Sequence, residues 1–205
     1  MIYDVSMQIE PEMQVYKNKP EKKPVFECED NLDIGSSYET TLCMNLHTGT
    51  HIDYPLHMMK GGKTSNSENL SMLLTRCRVI DLSSVDGEIK KQDLVNKDIK
   101  KNDFVLFKTK NSYSETFDPE FVYVGKEAAG YLAEIEIKGV GIDGLGIERS
   151  QPLHPTHLQL LSKGIVIIEG LRLAEVDEKI YEMICLPLKI KGVEATPARI
   201  ILKDL

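Results

Sequence analysis

Three of the five histidines in this chain lie in one short stretch, Asn45-Leu46-His47-Thr48-Gly49-Thr50-His51-Ile52-Asp53-Tyr54-Pro55-Leu56-His57, with Asp53 among them. The other two, His154 and His157, lie far downstream and are followed by Glu169. Imidazoles and carboxylates in short clusters are the donor set of a divalent transition metal. A straight strand would hold His47 and His51 roughly 13 Å apart, too far to share an ion. A helix would bring them together, but Thr48-Gly49-Thr50 is poor helix sequence and Pro55 interrupts any continuation. The chain must bend sharply, and Gly49 is the residue that permits it. A curled loop leaving a strand, with His47, His51 and Asp53 converging, is expected. Three protein ligands leave a position for water or substrate, as in a catalytic site.

The second cluster has a similar logic. Pro155 suits the first position of a helix that carries His157 and ends at Gly164. The apolar run Ile165-Val166-Ile167-Ile168 then reads as a strand ending in Glu169. A helix packed on the strand that follows it brings His157 towards Glu169. A carboxylate directly after four branched apolar residues is costly unless a cation is near; the alternatives are pairing with Arg172 or exposure at the strand end. His154 is either a further contact in the site or simply the residue before a helix-starting proline. Asp143, at the end of Val140-Gly141-Ile142, is a further candidate for orienting a ligand histidine. Stiffened by Pro55, the path from Asp53 lets His57 stand beside the metal without joining its coordination, where a general acid or base belongs.

The elements that must position these groups are of mixed kind. Strands are expected at Ile2–Ile9 (whole or interrupted by a turn), at Ser37–Leu46 (delivering His47), at Cys77–Leu82 and at the doubly buried run Phe104–Phe107. Ile184–Ile190 and Ala198–Leu202 are further strands, with Pro187 and Pro197 marking edges or irregularities. Short helical character is expected over Ser67–Leu74, and a helix over Lys126–Ile137, where Ala128, Ala129, Leu132 and Ile135 recur at helical spacing. Pro11–Pro24 reads as a solvated surface loop unless it folds over the site, and Glu88–Lys101 as a solvated charged face. With no repeat or linker, residues 1–205 are expected to form a single α/β or α+β domain.

At 205 residues and 41% hydrophobic content the chain can bury a sizeable core. A formal charge of −7 argues against nucleic acid or an anionic membrane as partner, leaving a small molecule. Four scattered cysteines without a CxxC pair, and no export signal after Met1, suggest reduced thiols in the cytoplasm. Tryptophan is absent, so any aromatic contact to substrate must come from Tyr, Phe or His.

The segment His47-Thr48-Gly49-Thr50-His51-Ile52-Asp53-Tyr54-Pro55-Leu56-His57 resembles the HxGTHxDxPxH signature of the cyclase-like metal-dependent hydrolases, a family that includes bacterial kynurenine formamidases. The resemblance continues through Gly61-Gly62-Lys63-Thr64, Val140–Asp143, His154-Pro155-Thr156-His157, Gly164–Leu171, Leu186–Ile190 and Ala195-Thr196-Pro197-Ala198-Arg199. It implies a swivelling β/β/α-type fold with a mixed sheet and flanking helices. It also implies a homodimer or homotetramer, and one or two zinc or manganese ions per subunit. His47, His51 and Asp53 then match the first ligands, His157 and Glu169 the later pair, Asp53 the bridge, and His57 the catalytic histidine. The implied reaction is hydrolysis of a C–N amide-type bond, N-formyl-L-kynurenine giving kynurenine and formate. Two places near the family's substrate pocket depart from its pattern: Tyr16-Lys17-Asn18 stands where Pro-Gly-Asp is common, and Met58 where Phe is common. They motivate an alternative, the same metal site acting on an isatin-like lactam or in a cyclisation. A third reading is a non-catalytic metal-binding module.

Overall fold

A computed structural model describes residues 1–205. In chain order the strands are β1 (Ile2–Asp4), β2 (Val25–Asp30), β3 (Glu39–Cys43), β4 (His51–Asp53), β5 (Leu74–Asp81), β6 (Glu88–Ile89), β7 (Phe104–Lys108), β8 (Tyr123–Val124), β9 (Gly139–Ile142), β10 (Val166–Glu169), β11 (Ile180–Pro187) and β12 (Ala195–Asp204). The helices are α1 (Leu70–Leu73), α2 (Lys91–Leu94), α3 (Lys126–Ile135) and α4 (Pro155–Ser162). The main sheet runs β1-β12-β11-β5-β7-β9-β10-β4, and a further pairing of β12 with β4 closes seven of its strands into a barrel. β5, β7, β9 and β10 are parallel neighbours, while β4, β11 and β12 join antiparallel. This is the expected mixed α/β architecture with flanking helices.

Period-two alternation divides the parallel strands between two cores. Phe104 and Leu106 of β7 point into the barrel with Val79, Ile168, Tyr181, Met183 and Leu202. Val105 and Phe107 point outward with Val140, Ile142 and Ile167, under Ala128, Ala129 and Leu132 of α3 and Leu160 and Leu161 of α4. The inward positions of β9 are glycines. A Cβ on Gly139 would lie 2.3 Å from the Phe104 ring, so the aromatic occupies the space a side chain would need.

Several expectations change in detail. The Ser37–Leu46 strand shrinks to β3, whose partner is β2 rather than the main sheet, so it forms one arm of an exposed hairpin and does not lead directly into His47. The chain leaves that hairpin through a turn in which the Asn45 side chain accepts the His47 amide at 2.9 Å. The last two strands begin earlier than expected. Pro197 sits inside β12 opposite His51, where the strand swings towards β4 and an amide hydrogen can be spared. The charged stretch Glu88–Lys101 is not simply solvated, because Ile89, Leu94 and Ile99 anchor it in the outer core. Pro11–Pro24 takes the second of its two expected courses, a surface loop that folds over the site. Met13 and Val15 are buried, and two short 3-10 turns, Tyr16–Asn18 and Pro20–Lys22, carry it across the face where the histidines gather.

Candidate metal centre and active site

His51 and Asp53 stand in β4 itself, not on a curled loop, and share its outward face, with Ile52 between them pointing into the barrel. The antiparallel register sets Glu169 of β10 opposite His51, and Ile167 opposite Asp53. Directly opposed cross-strand residues are near neighbours, which puts His51 Nε2 3.4 Å from Glu169 Oε2. α4 packs on this outer face and lowers His157 onto the pair; its Nε2 lies 3.4 Å from both Asp53 Oδ2 and Glu169 Oε1. His47 arrives by the bend at Gly49, whose φ is +72°. His47 Nδ1 sits 3.0 Å from Asp53 Oδ1 and 3.2 Å from His51 Nε2. The five residues expected to hold a metal are therefore brought together. Both segments border one cavity of ≈ 180 Å³.

The tautomers suit coordination. His51 Nδ1 is 2.9 Å from the Gly49 carbonyl, an acceptor only, so Nδ1 carries the proton and Nε2 offers its lone pair to the cluster. On the other side of His47, Nε2 lies 3.7 Å from Glu194 Oε1. Glu169 is further held by the Ile147 amide, which donates to Oε1 at 2.6 Å.

Electrostatically the cluster calls for positive charge. Burial alone would push the carboxyls of Asp53 and Glu169 upward, yet the facing imidazoles, His157 foremost, hold Asp53 well below the usual carboxylate range and Glu169 down to about 2. Conversely, burial disfavours a charged His51, but Asp53 and Glu169 raise it to about 10. His157 is likewise raised well above its ordinary value. Both Asp53 oxygens and His157 Nε2 are buried without a hydrogen-bond partner, which is expensive in the absence of an ion. Two wholly buried carboxylates facing three imidazoles, with orphaned donor atoms pointing at one another, fit a divalent cation. The donor set suits zinc, manganese, iron or cobalt alike.

His57 ends the short 3-10 turn Pro55–His57, half-buried, its ring centroid 4.1 Å from that of His47 and 5.4 Å from that of His157. Burial, reinforced by the positive charge of His47 and His157, lowers its pKa below the ordinary value despite Asp53 and Glu169. A ligand atom of His57 also lies within 4.8 Å of those of His47 and Asp53. Proximity alone therefore leaves it as proton carrier or further ligand.

Asp143, a candidate for orienting a ligand histidine, does not do so. Its buried carboxylate accepts the Thr109 amide at 2.7 Å, the Thr109 hydroxyl at 2.7 Å, the Ser112 amide at 3.2 Å and the Ser112 hydroxyl at 2.6 Å, and so ties the loop after β7 to the end of β9. The acid that packs against His157 is Glu148, which the sequence did not reveal. Its Oε2 accepts the Thr156 and His157 amides at 2.9 and 3.2 Å, capping α4 from outside. Its Oε1 accepts from His154 Nδ1 at 2.5 Å and lies 3.4 Å from His157 Nδ1. The signal was indirect: the residue in the N-cap position is His154, which cannot cap with a short side-chain oxygen and adopts φ +48°. A helix lacking its own cap requires an acceptor from elsewhere. Glu148→Ala is expected to weaken metal binding about 10- to 100-fold and to destabilise the fold by about 1–3 kcal/mol, with Glu148→Gln keeping part of the cap. Metal titration and thermal melts of the two variants check this; undiminished metal affinity would remove Glu148 from the centre.

Residues 3–149 match the sequence family described as putative cyclase. The chain belongs to that family. A solved structure described as a potential metal-dependent hydrolase with cyclase activity is 49% identical and superposes with a TM-score of 0.92, covering 98% of this chain and 96% of that one. The kynurenine formamidase of Salinibacter ruber is 30% identical over 99% of this chain and 97% of its own length. An isatin hydrolase A from Labrenzia aggregata, 22% identical with a TM-score of 0.83 over 98% of this chain and 93% of its own, shares the fold. This family member is accordingly an enzyme, a metal-dependent hydrolase. No helix in it is long and apolar enough to cross a membrane.

Proposed function

We propose that the chain hydrolyses the C–N bond of an N-formyl amide, N-formyl-L-kynurenine being the leading substrate, at a centre of one or two zinc or manganese ions in the cytoplasm. His47, His51 and Asp53 form one half of that centre, His157 and Glu169 the other, and Asp53 stands between them. The observation that carries this reading is Asp53 itself. It is buried, without a hydrogen-bond partner, with one oxygen turned to His47 and His51 and the other to His157. A bound divalent cation supplies Lewis-acid polarisation of a carbonyl and lowers the pKa of water.

The chain's own groups do the rest. His57, whose pKa burial lowers, takes a proton from the water that attacks the formyl carbon. It returns that proton to the amine nitrogen as the C–N bond breaks, releasing amine and formate. Glu148 and the Gly49 carbonyl keep His157 and His51 in register. Pro11–Pro24, folded over the cavity, brings Tyr16 to its wall as the aromatic surface that tryptophan does not provide.

The test is a panel of substrates on metal-loaded enzyme: N-formyl-L-kynurenine, isatin and a small lactone. kcat/KM at least ~10-fold higher on the formamide is expected, a margin of about 1.4 kcal/mol. A preference for isatin would replace this reading by the lactam one, which the departures at Tyr16-Lys17-Asn18 and Met58 motivate.

A second copy of the chain completes the assembly as a homodimer or homotetramer. The β2–β3 arm exposes Leu32, Ile34 and Tyr38 at 65%, 76% and 71%, together with Val25, Phe26 and Leu42. A two-stranded ribbon with apolar residues and no covering layer is marginal in water. Light scattering at micromolar concentration is expected to report a dimer or tetramer, and the double variant Phe26→Lys, Leu42→Lys a smaller species. A wild-type monomer would dismiss this assembly.

A further inference from the structure

The cavity has one ordinary cation on its wall. Lys22 is the sole lysine or arginine among its lining residues, and its Nζ makes no ion pair or hydrogen bond. Its neighbours differ: Lys19 pairs with Glu21 at 3.9 Å and Lys23 with Glu12 at 3.4 Å. Lys22 is also held in place. The buried Thr48 hydroxyl donates to the Lys22 carbonyl at 2.7 Å, fastening the Pro20–Lys22 turn to the loop that carries His47. Its ammonium lies over the Tyr16 ring, 5.4 Å from the centroid. Burial, then the charge of Lys19, lowers its pKa. The site's acids are engaged elsewhere: Asp53 and Glu169 face imidazoles, and Glu148 faces α4 and His154. An ammonium partly withdrawn from water, anchored by its backbone and without an anion of its own, is suited to one brought by a ligand.

We infer that Lys22 receives a carboxylate carried by the substrate, away from the bond that breaks, and so selects anionic amides over neutral ones. This rests on the amide-hydrolase reading above. It makes Lys22 a specificity-determining residue rather than a participant at the reacting atoms. It also gives the Pro11–Pro24 segment a role, since it carries both the cation and the aromatic wall.

Two measurements test it on the full-length, metal-loaded protein. The first is the ratio of kcat/KM on 2-formamidobenzoate to that on formanilide, in wild type, Lys22→Met and Lys22→Arg. The ratio is expected to fall about 10- to 100-fold in Lys22→Met, the size of one lost charge-assisted contact, with the change in KM, and to be largely kept in Lys22→Arg. The second is binding of the fluorescent product analogue 2-aminobenzoate, expected to weaken by a similar factor in Lys22→Met only. An unchanged ratio and unchanged binding would overturn the inference. So would an equal loss on both substrates confined to kcat, which would place Lys22 at the reacting atoms or in the fold. If wild type turns over neither formamide yet binds 2-aminobenzoate through Lys22, the formamide reading falls and the carboxylate site stands.

Discussion

Replacing His57 by alanine is expected to lower kcat by ~10²- to 10⁴-fold, the usual worth of a positioned proton carrier, while the metal content and melting temperature stay close to wild type. The expectation rests on its place in the site. His57 enters on its own 3-10 turn, after the β4 strand that carries His51 and Asp53. Its ring stacks beside His47 rather than facing the buried carboxylates through a short contact, as His47, His51 and His157 do. Removing it therefore takes away a proton acceptor and leaves the charged cluster whole. Elemental analysis of the variant next to steady-state rates decides the matter. If the rate and the bound metal fall together, His57 is a ligand and another group must carry the proton.

Asp53→Ala is expected to have the larger effect. The carboxylate is wholly buried and stands between His47 and His51 on one side and His157 on the other. Without it the imidazoles lose their main source of negative potential, and the raised pKa of His51 and His157 should relax towards ordinary values. Metal bound to both halves should be lost. Turnover should fall by ~10⁴-fold or more, because the several kcal/mol that a cation contributes to transition-state charge stabilisation vanish with it. Asp53→Asn, which keeps the shape without the charge, should fail in the same way. Calorimetric metal titration reads the result directly: wild-type stoichiometry in Asp53→Ala would dissolve the account of the centre given above. A loss of two equivalents against one distinguishes a bridging carboxylate from a single-ion ligand.

Much of this was present in local sequence. The bend at Gly49, the start of α4 at Pro155 and the buried runs of β7, β9 and β10 follow from conformational preferences and periodicity acting over a few residues. The five residues of the cluster were legible because imidazole and carboxylate at such spacing have few other uses, and because the chain's likeness to a family was carried by those same residues. Less legible was the work of groups whose partners are remote. Asp143 and Glu148 are both acids soon after β9, and nothing nearby in sequence says which serves the site. Thr109 and Ser112, over thirty residues upstream, claim Asp143. The missing cap of α4 claims Glu148.

What sequence by itself determined, then, was the chemistry: which donor atoms the protein has, that two distant segments share them, and that strands and helices of a mixed sheet present them. Tertiary structure alone decided who stands opposite whom. The β4–β10 register set Glu169 against His51, the Thr48 to Lys22 hydrogen bond drew a polar loop over the cavity, and the β2–β3 pairing turned the strand expected to deliver His47 into an exposed arm. The physical reason is range. Propensity, periodicity and turn chemistry act within a few residues, whereas register, burial of a polar side chain and the pairing of an edge depend on atoms brought near only once the whole chain has closed on itself.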